Sequence, residues 1–451
     1  MEKFISQKVA VLGFGLEGKD LCRFLLSQKA QITVFDQETD LVKDQDYQKF
    51  QKQGVEFKLG KDCLSTLPNE GFAFIFRSPG FSPLRPEIKK AKESGAQISS
   101  ATKLFFELCP GKIIGVTGTK GKGTTATLIS EILKADQKEV FLTGNVGSPM
   151  LSLLSQIKKE TWIVLELSSF QLMDLGQSPH IAVVLFITSE HLDYHQDTNE
   201  YIQAKANLVK YQKSTDLAVL NADNKVSASF ADLTPARIYN FSRCNKVNGA
   251  YVQNRQLYLL AEKLGSVDDL QILGEHNWDN VCAAISAAHL AGASLGSIKK
   301  TIFSFKGLEH RLEFVREING VSFYNDSFST TPETTIAAIA SFKKPLVLIA
   351  GGSDKGSDYT HLGEKISQSA VKTLILIGLM ADKIRQAVLK AGFQGKIIFR
   401  PSEKMEEIVK LAFEKAKPQG LVLLSPACAS FDLFANYKDR GEQFKKTIQE
   451  L

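Results

Sequence analysis

The sequence predicts an α/β protein of doubly wound, largely parallel sheets, and three observations carry that prediction. Short apolar runs alternate with helix-length stretches, beginning with Val9 to Gly13, a helix near Lys19 to Ser27, and Ile32 to Asp36. Glycine-rich turns stand where an apolar run gives way to a helix, at Gly13-Phe14-Gly15-Leu16-Glu17-Gly18 and at Gly115-Val116-Thr117-Gly118-Thr119-Lys120-Gly121-Lys122-Gly123-Thr124-Thr125. Finally, Lys112 to Val116 and Ile181 to Ile187 are nearly unbroken apolar runs, as strands covered on both faces require.

A chain of 451 residues is too long for one ordinary core and predicts about three domains, over 1–102, 103–307 and 308–451. The first ends its alternation with Phe72 to Arg77 and the turn Ser78-Pro79-Gly80. The second runs from Lys112 through Trp162 to Leu167 and Ile181 to Ile187 to a helix near Trp278 to Leu290. The third repeats the pattern in Val321 to Asn325, Pro345 to Gly351, Thr373 to Gly378, Lys396 to Phe399 and Leu421 to Leu424, with a helix over Glu403 to Ala416.

Composition narrows the function. Hydrophobic content of 43% and charge of 23% describe a soluble globular protein, and no apolar run approaches the length of a bilayer span. The start runs straight into Val9-Ala10-Val11-Leu12, leaving no room for a secretory signal, so a cytoplasmic address is expected. Six scattered cysteines without C-x-x-C spacing predict neither a zinc site nor a disulfide framework, and most of them are expected to be small buried apolar residues. The net charge of +6 is not blocked into tracts, so nucleic acid is not an expected partner and anionic small molecules are.

The Gly115 to Thr125 segment reads as a phosphate cradle. Glycines let backbone N–H groups converge on phosphate oxygens, a helix N-terminus faces the anion, and Lys122 adds a point charge. ATP is the ligand to expect. Against the pattern G-x-x-x-x-G-K-[ST], Val116 stands where the first glycine belongs, and Gly123 separates Lys122 from Thr124 and Thr125. The Gly13 to Gly18 turn, followed by Asp36 at the next strand end, satisfies the dinucleotide fingerprint, so the first domain is Rossmann-like. NAD or any other nucleotide diphosphate fits that turn, and so does a tight turn without a ligand.

Two further strand ends bring oxygen and nitrogen ligands. Glu166 closes the run Val164-Leu165-Glu166-Leu167-Ser168-Ser169-Phe170-Gln171, where a magnesium ion bridging nucleotide phosphates would need a carboxylate, although a strand-end Glu is often simply solvated. His191 lies in Thr188-Ser189-Glu190-His191-Leu192-Asp193-Tyr194-His195, so Lys122, Glu166 and His191 are delivered to one sheet edge. In Gly274-Glu275-His276-Asn277-Trp278-Asp279-Asn280, Asn277 and Asn280 fall on one helix face and suit either an adenine edge or an N-cap.

The order of these motifs resembles the Mur ligases of peptidoglycan assembly, over nearly the whole chain. The fingerprint, Ser78-Pro79-Gly80, the phosphate loop, Gly144-Asn145-Val146-Gly147, ELSSFQL, EHLDYH, GEHNWDN, Gly307-Leu308-Glu309-His310-Arg311, Asn325-Asp326-Ser327 and Ser425-Pro426-Ala427-Cys428-Ala429-Ser430 stand in family order. The resemblance implies a nucleotide-sugar-binding Rossmann-like domain, a central P-loop-type ATPase domain and a Rossmann-like C-terminal domain. It also implies a ligase that phosphorylates the carboxylate of UDP-N-acetylmuramoyl-L-alanine and passes the acyl group to D-glutamate; a monomer is expected.

By resemblance, the UDP-sugar falls to Gly15, Leu16, Asp36, Gly80, Asn145, Ser168, Gln171 and His191. ATP falls to Gly118, Thr119, Lys120, Gly121, Lys122, Gly123, Thr124 and Thr125, with Asn277, Asn280, Arg311 and Asp326. The implied catalytic set is Lys122, Glu166, His191 and Lys205. Magnesium falls to Thr124, Glu166, His191 and a carbamylated Lys205, whereas the residue pattern alone makes Lys205 a solvated helix lysine. The acceptor falls to Thr330, Lys355, Ser430 and Tyr437, and the third domain closes on the others.

Two departures stand out. The family commonly has a lysine after Asn-Asp-Ser, and this chain has Phe328, which removes one charge near the expected glutamate site. The spacing G-K-G-T resembles the folylpolyglutamate synthases, a rival ligase that would leave Asp36 and the His276-Asn277 pair unexplained. An NAD-dependent oxidoreductase would use only the first domain, and a non-catalytic nucleotide-binding protein would leave the Lys122, Glu166 and His191 set idle.

Overall fold

The computed structural model describes residues 2–188, 194–354 and 356–451, so His191 and Lys355 lie outside the described residues. The chain divides into two compact units, Met1–Asp268 with Trp278–Ile302, and Asp269–Asn277 with Phe303–Leu451.

The first unit begins with strands β1 (Lys8–Leu12), β2 (Gln31–Asp36), β3 (Glu56–Leu59), β4 (Phe74–Arg77) and β5 (Gln97–Ser99). They form a parallel sheet in the order β3-β2-β1-β4-β5. Alternate residues of β1 feed opposite cores: Val9 and Val11 pack with Leu21, Leu25 and Phe105, while Ala10 and Leu12 pack with Leu64, Leu67 and Ile88. Burial on both faces is why this strand reads as an unbroken apolar run. The order reverses at β1, so ligands are expected beyond the carboxyl ends of β1 and β4.

A second parallel sheet holds β6 (Lys112–Thr117), β7 (Val140–Gly144), β8 (Trp162–Glu166), β9 (Ile181–Val184), β10 (Leu217–Asn221) and β11 (Arg237–Phe241). Its order is β11-β10-β9-β6-β8-β7, which puts β6 at the switch point between β8 and β9. The strand expected over Ile181 to Ile187 stops at Val184, because the following residues leave the ladder to hold the loop after β6: the Thr119 N–H donates to Phe186 O at 2.8 Å.

Sequence patterning missed a small antiparallel sheet of β12 (Ala250–Gln253), β13 (Gln256–Leu259) and β14 (Glu262–Ser266). Its first turn puts Asn254 and Arg255 at φ of 49° and 58°. A type I′ hairpin turn needs positive φ at both positions, and arginine is not a residue that announces it.

The second unit is built on β15 (Glu313–Ile318), β16 (Val321–Asn325), β17 (Leu346–Gly351), β18 (Val371–Ile377), β19 (Lys396–Phe399) and β20 (Leu421–Leu424). The order is β15-β16-β20-β17-β18-β19, parallel except for β15, which pairs antiparallel to β16 at the edge. Here too a central strand supplies two cores, Leu346, Leu348 and Ala350 on one side and Val347 and Ile349 on the other. Among the described residues, no helix is long and apolar enough to cross a membrane.

Candidate active site

β6 ends at Thr117 and the helix Lys122–Ala135 begins after a four-residue loop capped by Gly121. Gly121 has φ of +87°, and a Cβ there would lie 2.1 Å from Asn280 Oδ1; a Cβ on Gly118 would lie 2.7 Å from Leu185 Cβ. Both positions therefore require glycine. The first-turn N–H groups of the helix lack intrahelical acceptors and face the loop, which is the arrangement that binds phosphate. Thr119 Oγ1 accepts from the Thr188 N–H at 3.0 Å and lies 3.0 Å from the Tyr201 hydroxyl, fixing the loop to its surroundings. Lys122 Nζ folds back to donate to the carbonyls of Gly118 and Thr119, each at 3.1 Å. Lys120 is exposed, while Gly123, Thr124 and Thr125 are buried in the helix start.

Glu166 ends β8 and pairs in register with Val116 of β6, so its carboxylate, 6% exposed, stands one strand away from the loop. The helix Thr198–Lys210, capped by Asp197 accepting from the Glu200 N–H, delivers Lys205 to the same place. Lys205 is only 1% exposed, which corrects the expectation of a solvated helix lysine. Its Nζ donates to Gly118 O at 2.9 Å and to Thr117 Oγ1 at 3.4 Å, and lies 4.7 Å over the Tyr201 ring. Inward orientation on a helix packed against the sheet forces the burial, and the loop carbonyl offsets part of its cost.

The turn at Gly144 to Gly147 presses against the end of β8. A Cβ on Gly144 would fall 2.2 Å from Glu166 O, which accepts instead from the Asn145 N–H at 3.1 Å, leaving the Asn145 side chain exposed. Ser168 and Gln171 form a reciprocal capping box on the helix Ser169–Leu172. Gln171 also donates from Nε2 to Glu17 Oε1 at 2.7 Å, and burial pushes the Glu17 carboxyl above its ordinary range against that hydrogen bond.

At the first switch point, Gly13 has φ of +95° and a Cβ there would lie 2.8 Å from Ser78 Oγ, so the turn after β1 touches the turn after β4. Gly15 caps the helix Leu16–Ser27, which starts ahead of the expected Lys19 and exposes Leu16 at its tip. Asp36 accepts from the Phe14 N–H at 2.7 Å and the Glu38 N–H at 2.9 Å, so it shapes the turn that it was expected to serve as a ligand. Gly80, in the turn after β4, is exposed.

Three residues that sequence reasoning missed join these two crevices within the first unit. Arg77, 2% exposed, donates from Nε to Asp174 Oδ2 at 3.0 Å and from Nη2 to Asp174 Oδ1 at 2.5 Å and Phe170 O at 2.8 Å. Asp20 accepts from the Leu151 N–H at 2.8 Å and from the Ser152 hydroxyl. A charge closing the apolar run Phe74-Ile75-Phe76 was the available signal for Arg77.

The paired amides have separate surroundings. Asn280, 5% exposed, lies under Gly121 and its Oδ1 accepts from Thr125 Oγ1 at 3.4 Å, so it braces the phosphate loop. Asn277 Nδ2 donates to Leu273 O at 2.7 Å.

In the second unit, Asp326 follows β16 and is 4% exposed, with Oδ1 accepting from the Leu312 N–H at 3.1 Å and Oδ2 from Ser425 Oγ at 2.7 Å. Burial pushes its pKa up to about 6, opposed by those hydrogen bonds, by Ser329 and by the Arg311 charge. The Arg311 guanidinium lies 3.8 Å from the centre of the Phe328 ring, which stands nearly perpendicular to the Tyr437 ring at 5.1 Å between centroids. Thr330 lies half-buried two residues on, and Ser430 is buried, its carbonyl accepting from the Phe434 N–H at 2.9 Å. Arg440, also missed, is completely buried and donates to Ser327 Oγ and to the carbonyls of Ser327, Cys428 and Ala429, stitching the Asn325 to Ser327 and Ser425 to Ser430 motifs together. Burial lowers its pKa to about 10.

Comparison with known proteins matches the chain in three segments. Family models match residues 7–100 (Mur ligase MurD-like, N-terminal domain), 116–288 (Mur ligase middle domain) and 310–428 (Mur ligase, glutamate ligase domain). The UDP-N-acetylmuramoylalanine--D-glutamate ligase of Clostridium novyi is 38% identical, covering 99% of this chain and 97% of its own. Its namesake from Acetivibrio thermocellus is 40% identical over 100% of this chain and 98% of its own. Among solved structures, the UDP-N-acetylmuramate-alanine ligase MurC of Thermotoga maritima matches with a TM-score of 0.62 at 15% identity, over 98% of this chain and 99% of that one. The MurF ligase of Thermotoga maritima in complex with ADP matches with a TM-score of 0.57 at 18% identity, over 100% and 97%. Such structural likeness speaks for the fold, and the full-length relatives speak for an ATP-dependent ligase. With three family domains in order and relatives of 38% and 40% identity along its whole length, this chain belongs to the Mur ligase family.

Proposed function

We propose that this enzyme joins D-glutamate to UDP-N-acetylmuramoyl-L-alanine in peptidoglycan precursor synthesis, releasing ADP and phosphate. The observation that carries the reading is the switch point at β6, where the glycine-bound phosphate loop, the strand-end carboxylate of Glu166 and the buried Lys205 meet. The names of the full-length relatives support the same substrates. They also weigh against the folate branch to which the Gly123 spacing points.

A carboxylate is a poor acyl donor, so its oxygen must first take the terminal phosphoryl group of ATP; the amine of the acceptor then attacks the carbonyl carbon and phosphate leaves. Lys122 is placed to turn from the loop carbonyls to the phosphoryl oxygens as charge builds there. Glycine at 118 and 121 lets the loop pack tightly on Leu185 and Asn280, and the unpaired first-turn N–H groups of the following helix are donors suited to phosphate oxygens. Thr124, Glu166 and, once carbamylated, Lys205 offer the hard oxygen donors that magnesium prefers, with His191 assigned by resemblance. Bound magnesium would neutralise phosphoryl charge. As an ammonium, Lys205 would set a positive charge against that cation, and carbamylation would replace that charge with oxygen donors.

The rest of the assignment belongs to the same reading. ATP further takes Asn277, Asn280, Arg311 and Asp326. The UDP-sugar takes Gly15, Leu16, Asp36, Gly80, Asn145, Ser168, Gln171 and His191, and the acceptor takes Thr330, Lys355, Ser430 and Tyr437. Domain boundaries at 102 and 307, a monomeric state and a cytoplasmic setting complete it. The decisive measurement is ADP release against a panel of acyl donors and acceptors. Release is expected only with the muramoyl nucleotide and D-glutamate together, and turnover with dihydrofolate and L-glutamate, or none with any muramoyl nucleotide, overturns the reading.

A further inference from the structure

The residue that departs from the family pattern, Phe328, is not idle. Its N–H donates to His310 O at 3.0 Å, so the backbone of the Asn325 to Phe328 segment is fastened to the turn that carries Arg311. Its ring then lies beneath the Arg311 guanidinium, 3.8 Å from carbon to centroid, and stands nearly perpendicular to the Tyr437 ring at 5.1 Å and 86°. Tyr437 is fixed in turn, its carbonyl accepting from Ser327 Oγ at 2.7 Å and its ring meeting His310 at 6.0 Å. All of these residues lie in the second unit.

A guanidinium is planar and delocalised, and an aromatic face attracts it while holding its plane parallel to the ring. A lysine at the same position would place a second cation within a few ångströms of Arg311 and repel it. The substitution therefore exchanges a charge for an orienting surface.

We propose that Phe328 is a positioning residue for ATP use: it sets the plane in which Arg311 presents its N–H donors to the nucleotide, and braces that stack against Tyr437 of the acceptor wall. The proposal rests on the assignment of Arg311 to ATP made above. The ring works through Arg311.

The test is steady-state kinetics of the full-length enzyme with ATP and acceptor varied separately. Phe328→Leu keeps an apolar side chain at a half-exposed position but removes the π face. It is expected to lower kcat/KM for ATP about fivefold while leaving the acceptor KM within about twofold, on the scale of one exposed cation–π contact. Phe328→Tyr retains the face and is expected to match the parent enzyme. Phe328→Lys is expected to fall below Phe328→Leu. Wild-type ATP kinetics in a folded Phe328→Leu enzyme overturn the proposal, as does a change confined to the acceptor KM. Should Phe328→Leu prove unstable in thermal melts, Phe328→Met carries the same comparison. Arg311→Ala separates the two levels: undiminished ATP kinetics there overturn the assignment of Arg311, whereas impaired kinetics beside a normal Phe328→Leu overturn only the role of the ring.

Discussion

The ammonium of Lys205 lies 2.9 Å from the carbonyl oxygen of Gly118, the residue that opens the phosphate loop. Lys205 is 1% exposed, and its position on the loop carbonyl sets its side chain against the proposed phosphate site. Lys205→Ala should lose activity by about 100-fold or more, the scale on which removing one electrostatic stabiliser acts. Added short carboxylates should restore part of it. Full activity in Lys205→Ala would remove the carbamate from the mechanism.

Gly121 is the loop position with least tolerance. Gly121→Ala forces a Cβ to within 2.1 Å of Asn280 Oδ1 at a φ of +87°. The backbone term alone costs about 1–2 kcal/mol. The loop is therefore expected to open away from Asn280, raising KM for ATP at least about tenfold while the UDP-sugar KM stays unchanged. Nucleotide titration by calorimetry reads this directly, and unaltered ATP binding would contradict it.

Asp326 gives a pH signature. Its pKa in the folded enzyme, about 6, lies above the ordinary carboxylate value of 3.8. The folded state therefore holds the proton more tightly, and the stabilisation is greatest below the ordinary value and is lost as pH rises through about 6. A shift of about two units corresponds to about 3 kcal/mol. Asp326→Asn should be more stable than the parent near pH 8, by up to that amount, and no more stable near pH 4. Urea unfolding at the two pH values measures it; an equal difference at both would contradict the shift.

The Arg77–Asp174 pair should behave asymmetrically. Arg77 is buried, whereas Asp174 is about a quarter exposed. Asp174→Asn strands a buried guanidinium and is expected to cost about 3 kcal/mol, the scale for breaking such a pair from one side. Replacing both, as Arg77→Met with Asp174→Leu, should recover much of that loss. A double-mutant cycle by denaturant unfolding tests this, and additive effects would show that the two residues act independently.

Much of the fold was legible because a strand buried on both faces has to be apolar throughout and a strand-to-helix phosphate turn has to carry glycine. Strands such as Val321–Asn325, Lys396–Phe399 and Leu421–Leu424 were bounded from the sequence as they stand in the structure. The hairpin turned by Asn254 and Arg255 was not legible, because an arginine at positive φ carries no turn signal. Neither were Arg77 and Arg440, since an isolated arginine in a sequence reads as solvated until its acceptors, drawn from loops distant in the chain, are known.

The sequence by itself determined the fold class, the order of the motifs and the phosphate loop, because these depend on local periodicity and on residues near one another in the chain. Only the tertiary structure decided that Lys205 is buried on the loop, that Asn280 braces Gly121, that Asp326 is sealed beneath Leu312 and Ser425, and that Phe328 carries Arg311. Each of these depends on burial and on partners contributed by other elements. A residue's charge, solvation and orientation are properties of what packs around it, and packing is set when the sheets and helices assemble.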